Sequence, residues 1–389
     1  MTDQMQPQTV LEQAWQRVAD RESERLRDLF VTQEAPVQPA RAVLAQVLSV
    51  LVLVVFGLLT LLGVWFALIV VGRGHANVLA RLMAFMVAAP LLTFAWIAWP
   101  RVNRLDGLEL TPQDTPELHT LVRRVSQDMG VDRPVRVVLN ADMNAFMGMH
   151  GWRRQPTLGL GLGLWYALRP QERVAVIAHE LAHLKNGDPT RQGAVWAALR
   201  VLSSAVDGLW PDPLMEAQAG LIALTAMMIT KAVALLPWGL LQLLLGLVGA
   251  DQQAAEYRAD LLASRVAGSA PKRAALDKLH LGHLLESALH KQRMMPERPH
   301  AFAELQHMFE HLPEAQWERM RARRRQDRLR LDASHPPTAD RMQVVEAWPQ
   351  PGTVMLSAEQ SARLDAELAP FVAVLEREAL EEHRDRVFG

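Results

Sequence analysis

The sequence predicts a mostly α-helical chain with a small β-sheet, partly integral to a membrane and partly folded as a water-exposed domain. Hydrophobic residues fill 50% of the 389 positions, and they gather in long uncharged blocks rather than along amphipathic elements. Between and after those blocks run charged segments with helical spacing. Two short stretches alone, Val135–Leu139 and Thr157–Trp165, carry the pattern of strands. The length leaves room for a membrane part beside a folded core.

Composition removes several function classes. The 41 basic residues are balanced by 42 acidic ones, so no global field favours nucleic acid or another strongly charged partner. The chain has no cysteine, which excludes disulfides, thiolate metal ligands and a cysteine nucleophile.

Residues 1–41 form a polar segment in which Leu11, Trp15, Val18, Leu26 and Phe30 recur as one helical face. It is too long and too acidic for the basic start of a signal peptide, and no small-residue cleavage pattern closes the apolar run that follows, so it is expected to be retained. Residues 42–101 predict two transmembrane helices. Ala42–Gly72 is 31 residues without a charge, against the roughly 20 that span a bilayer core. Leu82–Trp99 supplies the second run, ending in Trp96, Trp99, Arg101 and Arg104 as an interfacial anchor does. Arg17, Arg21, Arg25, Arg27 and Arg41 precede the first span, whereas only Arg73 and Arg81 lie in the connection. The positive-inside bias therefore places the N-terminus in the cytoplasm, and two crossings return the chain there.

Residues 102–191 read as the first part of a folded domain. Leu118–Met129 has helical spacing, Val135–Leu139 is a short buried strand, and Thr157–Trp165 alternates glycine with leucine or an aromatic, as in a strand needing close backbone approach. Pro170 opens a further helix, with Gln171 and Glu172 in its first turn. Residues 192–250 predict a hydrophobic helical hairpin turned by Trp210-Pro211-Asp212-Pro213. Its first arm carries Arg200 and Asp207, costly in lipid unless they face protein or water, so that arm either crosses or packs as a partly buried element. Its second arm, Ala217–Ala250, is broken only by Lys231. Residues 251–345 continue the folded domain. Within them the arginine-rich Met320–Arg330 reads as a solvated helix face, or as a contact for anionic headgroups. Residues 346–389 form a C-terminal helical tail, opened by a capping box at Ser357 and Gln360 and divided by Pro370.

The chemistry lies in the helix begun by Pro170. His179-Glu180-Leu181-Ala182-His183 puts two histidines one turn apart on one face, where both imidazoles reach a single ion, with Glu180 beside them as a general base. Catalytic zinc takes three protein ligands and keeps an open position, so one ligand is missing. The candidate is Glu256. Asp260 lies one turn further on, placed to accept a hydrogen bond from a ligating imidazole. Spacing alone favours an ordinary charged helix turn. An even number of crossings between His183 and Glu256 returns both to the same membrane face, which favours the ligand reading.

On these residues the chain resembles the HtpX-type family of membrane zinc metallopeptidases, which is related to the CaaX prenyl protease. The matching motifs are His179–His183 with Asp188 after it, Glu256-Tyr-Arg-Ala-Asp260, Asn144-Ala145-Phe146, and Ser334-His335-Pro336-Pro337 with Arg341. The likeness covers about 104–345 and the two spans before it. It does not explain the N-terminal segment or the residues beyond 345. It implies a zincin-type metallopeptidase domain with one Zn2+ per chain, held by His179, His183 and Glu256. It places Asn144 at the strand edge beside the cleft and offers His335 or Arg341 as a donor to the oxyanion, although a structural His-Pro turn and a turn asparagine fit those positions as well. The implied activity is peptide-bond hydrolysis in membrane-protein quality control at a bacterial inner membrane, with the peptidase domain facing the cytoplasm. The implied partners are protein or peptide substrates, among them misfolded membrane proteins, and the bilayer, with no nucleic acid. The oligomeric state and the cleavage preference are not legible.

Three other readings differ in class. A prenyl-protein peptidase shares the constellation but typically has more spans. A catalytically silent zinc-binding scaffold has no use for Glu180. A transporter component accounts for Arg200 and Lys231 but leaves the histidines unexplained.

Overall fold

The computed structural model describes residues 10–34, 39–72, 107–210, 220–324 and 336–388, apart from single positions within these ranges, and scattered positions between 78 and 96. The chain divides into two compact units. The first contains residues 1–36, 102–189 and 252–389, the second residues 37–101 and 190–251.

In the second unit, α2 (Pro39–Gly72) is the long uncharged run. It holds one of the two stretches among the described residues that are long and apolar enough to cross a membrane, Ala40–Val70. The other, Ala223–Ala267, lies in α7 (Leu221–Ala267). Between them stands α6 (Asp188–Leu209). Ala45 and Val52 of α2, Val195, Ala198, Leu199 and Leu202 of α6, and Leu244 and Val248 of α7 form one buried cluster. The side chains pointing elsewhere stay apolar and exposed, Leu58, Leu61, Leu68, Ile229 and Leu236 among them, as a lipid-facing surface requires. The second predicted span, Leu82–Trp99, lies largely outside the described residues, and so does the turn at 211–219.

The first unit is built on a four-stranded sheet of order β1-β2-β4-β3, with β1 Leu108–Leu110, β2 Arg136–Asn140, β3 Ala145–His150 and β4 Gln155–Gly161. β2 and β4 run parallel, and the outer strands β1 and β3 are antiparallel to their neighbours. The glycine and leucine alternation of β4 has a physical cause. Leu158 and Leu160 are buried in the core, while Gly159 lies opposite Phe146 of β3, and a Cβ there would fall within the Phe146 ring. Backbone approach is therefore required at this position.

The predicted strand over Thr157–Trp165 holds only as far as Gly161. From Leu162 the chain coils into α4 (Leu162–Ala167), drawn in by amide donation from Gly161 to the Asn144 carbonyl (2.9 Å) and from Leu164 to the Asp142 carbonyl (3.2 Å). The apolar alternation continued across this change because both the strand end and α4 are buried.

Three helices cover the sheet and one another. α3 (Pro116–Met129) turns Leu118, Leu121, Val122 and Val125 inward. α5 (Pro170–Asn186) is buried along most of its length. The third is the last part of α7, with Ala259, Ala263 and Val266 in the same core. Then follow α8 (Ser269–Leu279), α9 (Gly282–Met294), α10 (Ala301–Glu310), α11 (Glu314–Arg324) and α12 (Thr338–Ala347). α13 (Ala358–Phe388) closes the chain.

One expectation needs correction here. Pro370 does not divide the tail: α13 passes through it as one helix, because burial of Leu364, Leu368, Val372 and Leu375 on one face offsets the lost amide donor. The apolar run and the Glu256 turn belong to the single 47-residue α7. The capping box is present as predicted, with Ser357 N donating to Gln360 Oε1 at 3.0 Å and Gln360 N to Ser357 Oγ at 3.1 Å. α13 also reaches across to α3, where Glu367 accepts the first free amides of that helix from Glu117 (2.8 Å) and Leu118 (3.1 Å). Of the arginine-rich stretch, residues 325–330 lie outside the described residues. Arg321 is engaged by protein carboxylates, Asp277 at 3.1 Å and Glu314 and Glu318 each at 2.9 Å.

Candidate metal centre

α5 starts with Pro170, whose missing amide costs nothing at a first helical position. The amide of Arg169 is accepted by Glu172 (2.8 Å), and the same carboxylate takes the buried Lys278 ammonium at 2.6 Å. Gln171 sews the helix start to its surroundings, donating to the carbonyls of Ala267 (3.0 Å) and Val354 (2.8 Å) and accepting from the Leu356 amide (3.0 Å). The helix ends at Gly187, which takes φ of 75°, a left-handed conformation that glycine adopts without strain. With both ends fixed, the rotation of α5 is set, and it turns His179 and His183 towards Glu256 of α7.

The two histidines and Glu256 meet as predicted. His179 Nε2 and His183 Nε2 are 3.3 Å apart. Glu256 Oε2 is 3.4 Å from the first, and Oε1 is 3.3 Å from the second. A tetrahedral zinc with bonds of about 2.0–2.1 Å to nitrogen and oxygen has ligand edges of about 3.3 Å. Each of the three separations is close to that edge, with Glu256 presenting a different oxygen to each histidine. Among the described residues this is the one group of three or more His, Asp or Glu side chains gathered closely enough to hold a metal ion.

Behind the ligands lies a buried charge cluster. Asp260 is fully buried and its Oδ1 sits 3.0 Å from His179 Nδ1. A carboxylate at that nitrogen favours the tautomer protonated there, leaving Nε2 with a lone pair facing the other ligands. Arg341 grips Asp260 with two 2.7 Å bonds, from Nε to Oδ2 and from its terminal nitrogen to Oδ1, the bidentate geometry a guanidinium makes best. The same terminal nitrogen lies 3.2 Å from Glu256 Oε2 and 3.3 Å from His179 Nε2. Lys272 Nζ completes the set at 2.7 Å from Asp260. Burial pulls the Lys272 ammonium below its ordinary value, and Asp260 restores only part of the loss. Burial would also lower Arg341, but Asp260 and Glu256 outweigh it and raise the guanidinium. Counted by formal charge, Glu180, Glu256 and Asp260 exceed Arg341 and Lys272 by one, a setting suited to a divalent cation.

The remaining predicted residues divide. Asn144 is exposed at the head of edge strand β3, its side-chain oxygen accepting from the Ala145 amide at 2.9 Å. Arg341 is buried against the ligand set, facing Asp260. His335 and the side chain of Asp188 lie outside the described residues. Sequence reasoning missed Lys272, because a lysine in a charged helix carries no local sign of pairing with a carboxylate 12 residues earlier.

The model of peptidase family M48 matches residues 112–349, well over half of the chain. The chain belongs to peptidase family M48. Among its relatives are proteins named Protease HtpX. The one from Tolumonas auensis is 26% identical over 54% of this chain and 75% of its own length. The one from Chromohalobacter salexigens is 28% identical over 58% and 69%. A Protease HtpX homolog from Gemmatimonas aurantiaca is 35% identical, over 30% of this chain and 41% of its own length. No solved structure matches the chain. The M48 match makes it a peptidase, with peptides or proteins as substrates. It also covers α3 to α12 while leaving α1 (Val10–Thr32), α2 and α13 outside.

Proposed function

We propose that this chain is a membrane-bound zinc endopeptidase. The observation that carries the reading is the convergence of His179, His183 and Glu256, whose nitrogen and oxygen atoms lie 3.3–3.4 Å apart, the spacing of ligand atoms on one zinc. Zinc held there would supply a Lewis acid that lowers the pKa of a water molecule and polarises a carbonyl. Glu180, next to the first ligand on α5, takes a proton from the attacking water and later delivers it to the leaving amine. Asp260 holds His179 in its ligating tautomer, and Arg341 holds Asp260 while offsetting the charge of Glu256. Asn144 and edge strand β3 offer main-chain groups to an extended peptide, which would bind by adding a strand. Arg341 in this reading acts through the ligand set. The arginine bias before α2 supports a cytoplasmic N-terminus in a bacterial inner membrane, with the peptidase unit on the same side. Misfolded membrane proteins are the substrate class that fits such a site.

The experiment is Glu180→Gln in the purified, membrane-extracted chain. Zinc at one per chain should persist while cleavage of an unfolded protein such as casein falls by at least about a hundredfold. Glu256→Ala should instead reduce bound zinc. Undiminished cleavage by Glu180→Gln, or full zinc in Glu256→Ala, would overturn the assignment.

A further inference from the structure

α1 lies outside the M48 match, yet its second half is packed into the peptidase unit against the turn that carries Glu256 and Asp260. On that turn, Gln253, Ala254, Tyr257 and Leu261 occupy the helix face adjoining the one that bears Glu256 and Asp260. Leu26 and Phe30 of α1 meet this face, joined by Val344 of α12, in a cluster in which all six apolar residues are buried. The Phe30 and Tyr257 rings lie 5.3 Å apart at 59°, the tilted arrangement aromatic pairs favour.

Polar contacts fix the register as well as the packing. Gln253 donates to Ser23 Oγ at 2.7 Å, to the Ser23 carbonyl at 3.2 Å and to Tyr257 Oη at 2.8 Å. Ser23 and Gln253 are buried and Tyr257 fully so, and satisfied buried groups of this kind permit one arrangement rather than several. Arg27 pairs with Asp340 at 3.2 Å, the residue before Arg341. Trp348 donates its indole N–H to the Phe30 carbonyl at 2.8 Å, and Arg265 pairs with Glu34 further along α7.

Two of these contacts fall next to a member of the metal centre. Tyr257 follows Glu256, and Asp340 precedes Arg341. We infer that α1 is a positioning element for the metal centre: it sets the rotation of the Glu256 turn through Ser23, Phe30 and Gln253, and the placement of Arg341 through Arg27 and Asp340. Metal ligation tolerates displacements of only about 0.2 Å. A helix turn free to rock on that side would therefore weaken zinc before it unfolded the unit. The inference rests on zinc being the bound metal.

The test is zinc affinity of the full chain in detergent, measured by competition with a chromogenic chelator, with the visible spectrum of the Co2+-loaded form as a second readout. Phe30→Ala is expected to weaken zinc by at least about tenfold, the size of effect seen when the support behind a ligand is lost, and to alter the Co2+ bands. Phe30→Leu should restore most of the affinity. Phe302→Ala is the control. It removes an equally buried ring from α10, and should lower thermal stability with zinc affinity unchanged. Arg27→Gln, on a half-exposed pair, keeps the test open should Phe30→Ala fail to fold, with about a two- to fivefold loss expected. The inference is overturned if neither α1 variant weakens zinc, or if Phe302→Ala weakens it as much. A wild-type chain that holds no zinc would overturn the proposed function instead, and this inference with it.

Discussion

Asp260 concentrates the electrostatic demands of the centre in one carboxylate. Its Oδ1 lies 3.0 Å from His179 and its two oxygens accept from Arg341 and Lys272, all inside the protein. Asp260→Asn would leave both cations buried with their main partner neutral. Breaking a buried pair from one side costs about 3–5 kcal/mol. The variant is therefore expected to lose stability on that scale, read by chemical denaturation, and to bind zinc about 10–100-fold more weakly. Lys272→Met should do less harm, since Arg341 still satisfies Asp260 and the methionine fills much of the same space; equal damage from both would show that Lys272 carries more of the site than its geometry indicates. The His179 and His183 pair was legible in the sequence because both residues lie on one helix, where a four-residue spacing is itself geometry. Glu256 was reachable only through membrane parity and resemblance, 73 positions downstream. The Lys272 and Arg341 contacts to Asp260 were not legible as contacts, because pairing between elements leaves no periodic trace in either.

Among the elements, β4 and α13 show what local pattern conveys and what it conceals. The glycine alternation correctly announced a strand in close approach. It could not announce that the partner is Phe146, nor that β3 and the three-residue β1 exist. β3 spans Ala145–His150 with every residue half-buried, so its sequence has no alternation to read. The packing of Phe146 on Gly159 predicts a coupled pair. Gly159→Ala should destabilise the unit by about 1–3 kcal/mol through overpacking. In the Phe146→Ala background the same change should cost much less, and a thermal-denaturation cycle measures the difference. α13 presents the opposite case. Its capping box was legible, whereas its service to α3 was not, for Glu367 is 250 positions from the Glu117 amide it accepts. Glu367→Ala should cost about 1 kcal/mol, the typical worth of a helix N-terminal cap, with the loss appearing as a lower denaturation midpoint at unchanged slope.

For the whole molecule, binding and folding are linked. The proposed ligands come from α5 and α7, and the residues that hold them from α8 and α12, so a bound ion ties together segments far apart in the chain. Zinc at a hundred times its dissociation constant should stabilise the peptidase unit by about 2.7 kcal/mol. Stripping the protein with a chelator should lower its melting temperature, and adding zinc back should restore it. Glu256→Ala should show neither response. A melting temperature indifferent to zinc in the wild-type chain would mean that the ion does not sit among these elements.

The order in which these segments are made gives the arrangement a further meaning in time. Synthesis delivers both histidines and Glu180 on α5 well before Glu256, and Arg341 comes last of the set, about 160 residues after His183. At roughly 5–20 residues per second, the growing chain carries an incomplete metal centre for on the order of ten to thirty seconds. With Glu256 as third ligand and Arg341 behind it, both encoded well after the histidines, the centre would stay incomplete until most of the peptidase unit has been made.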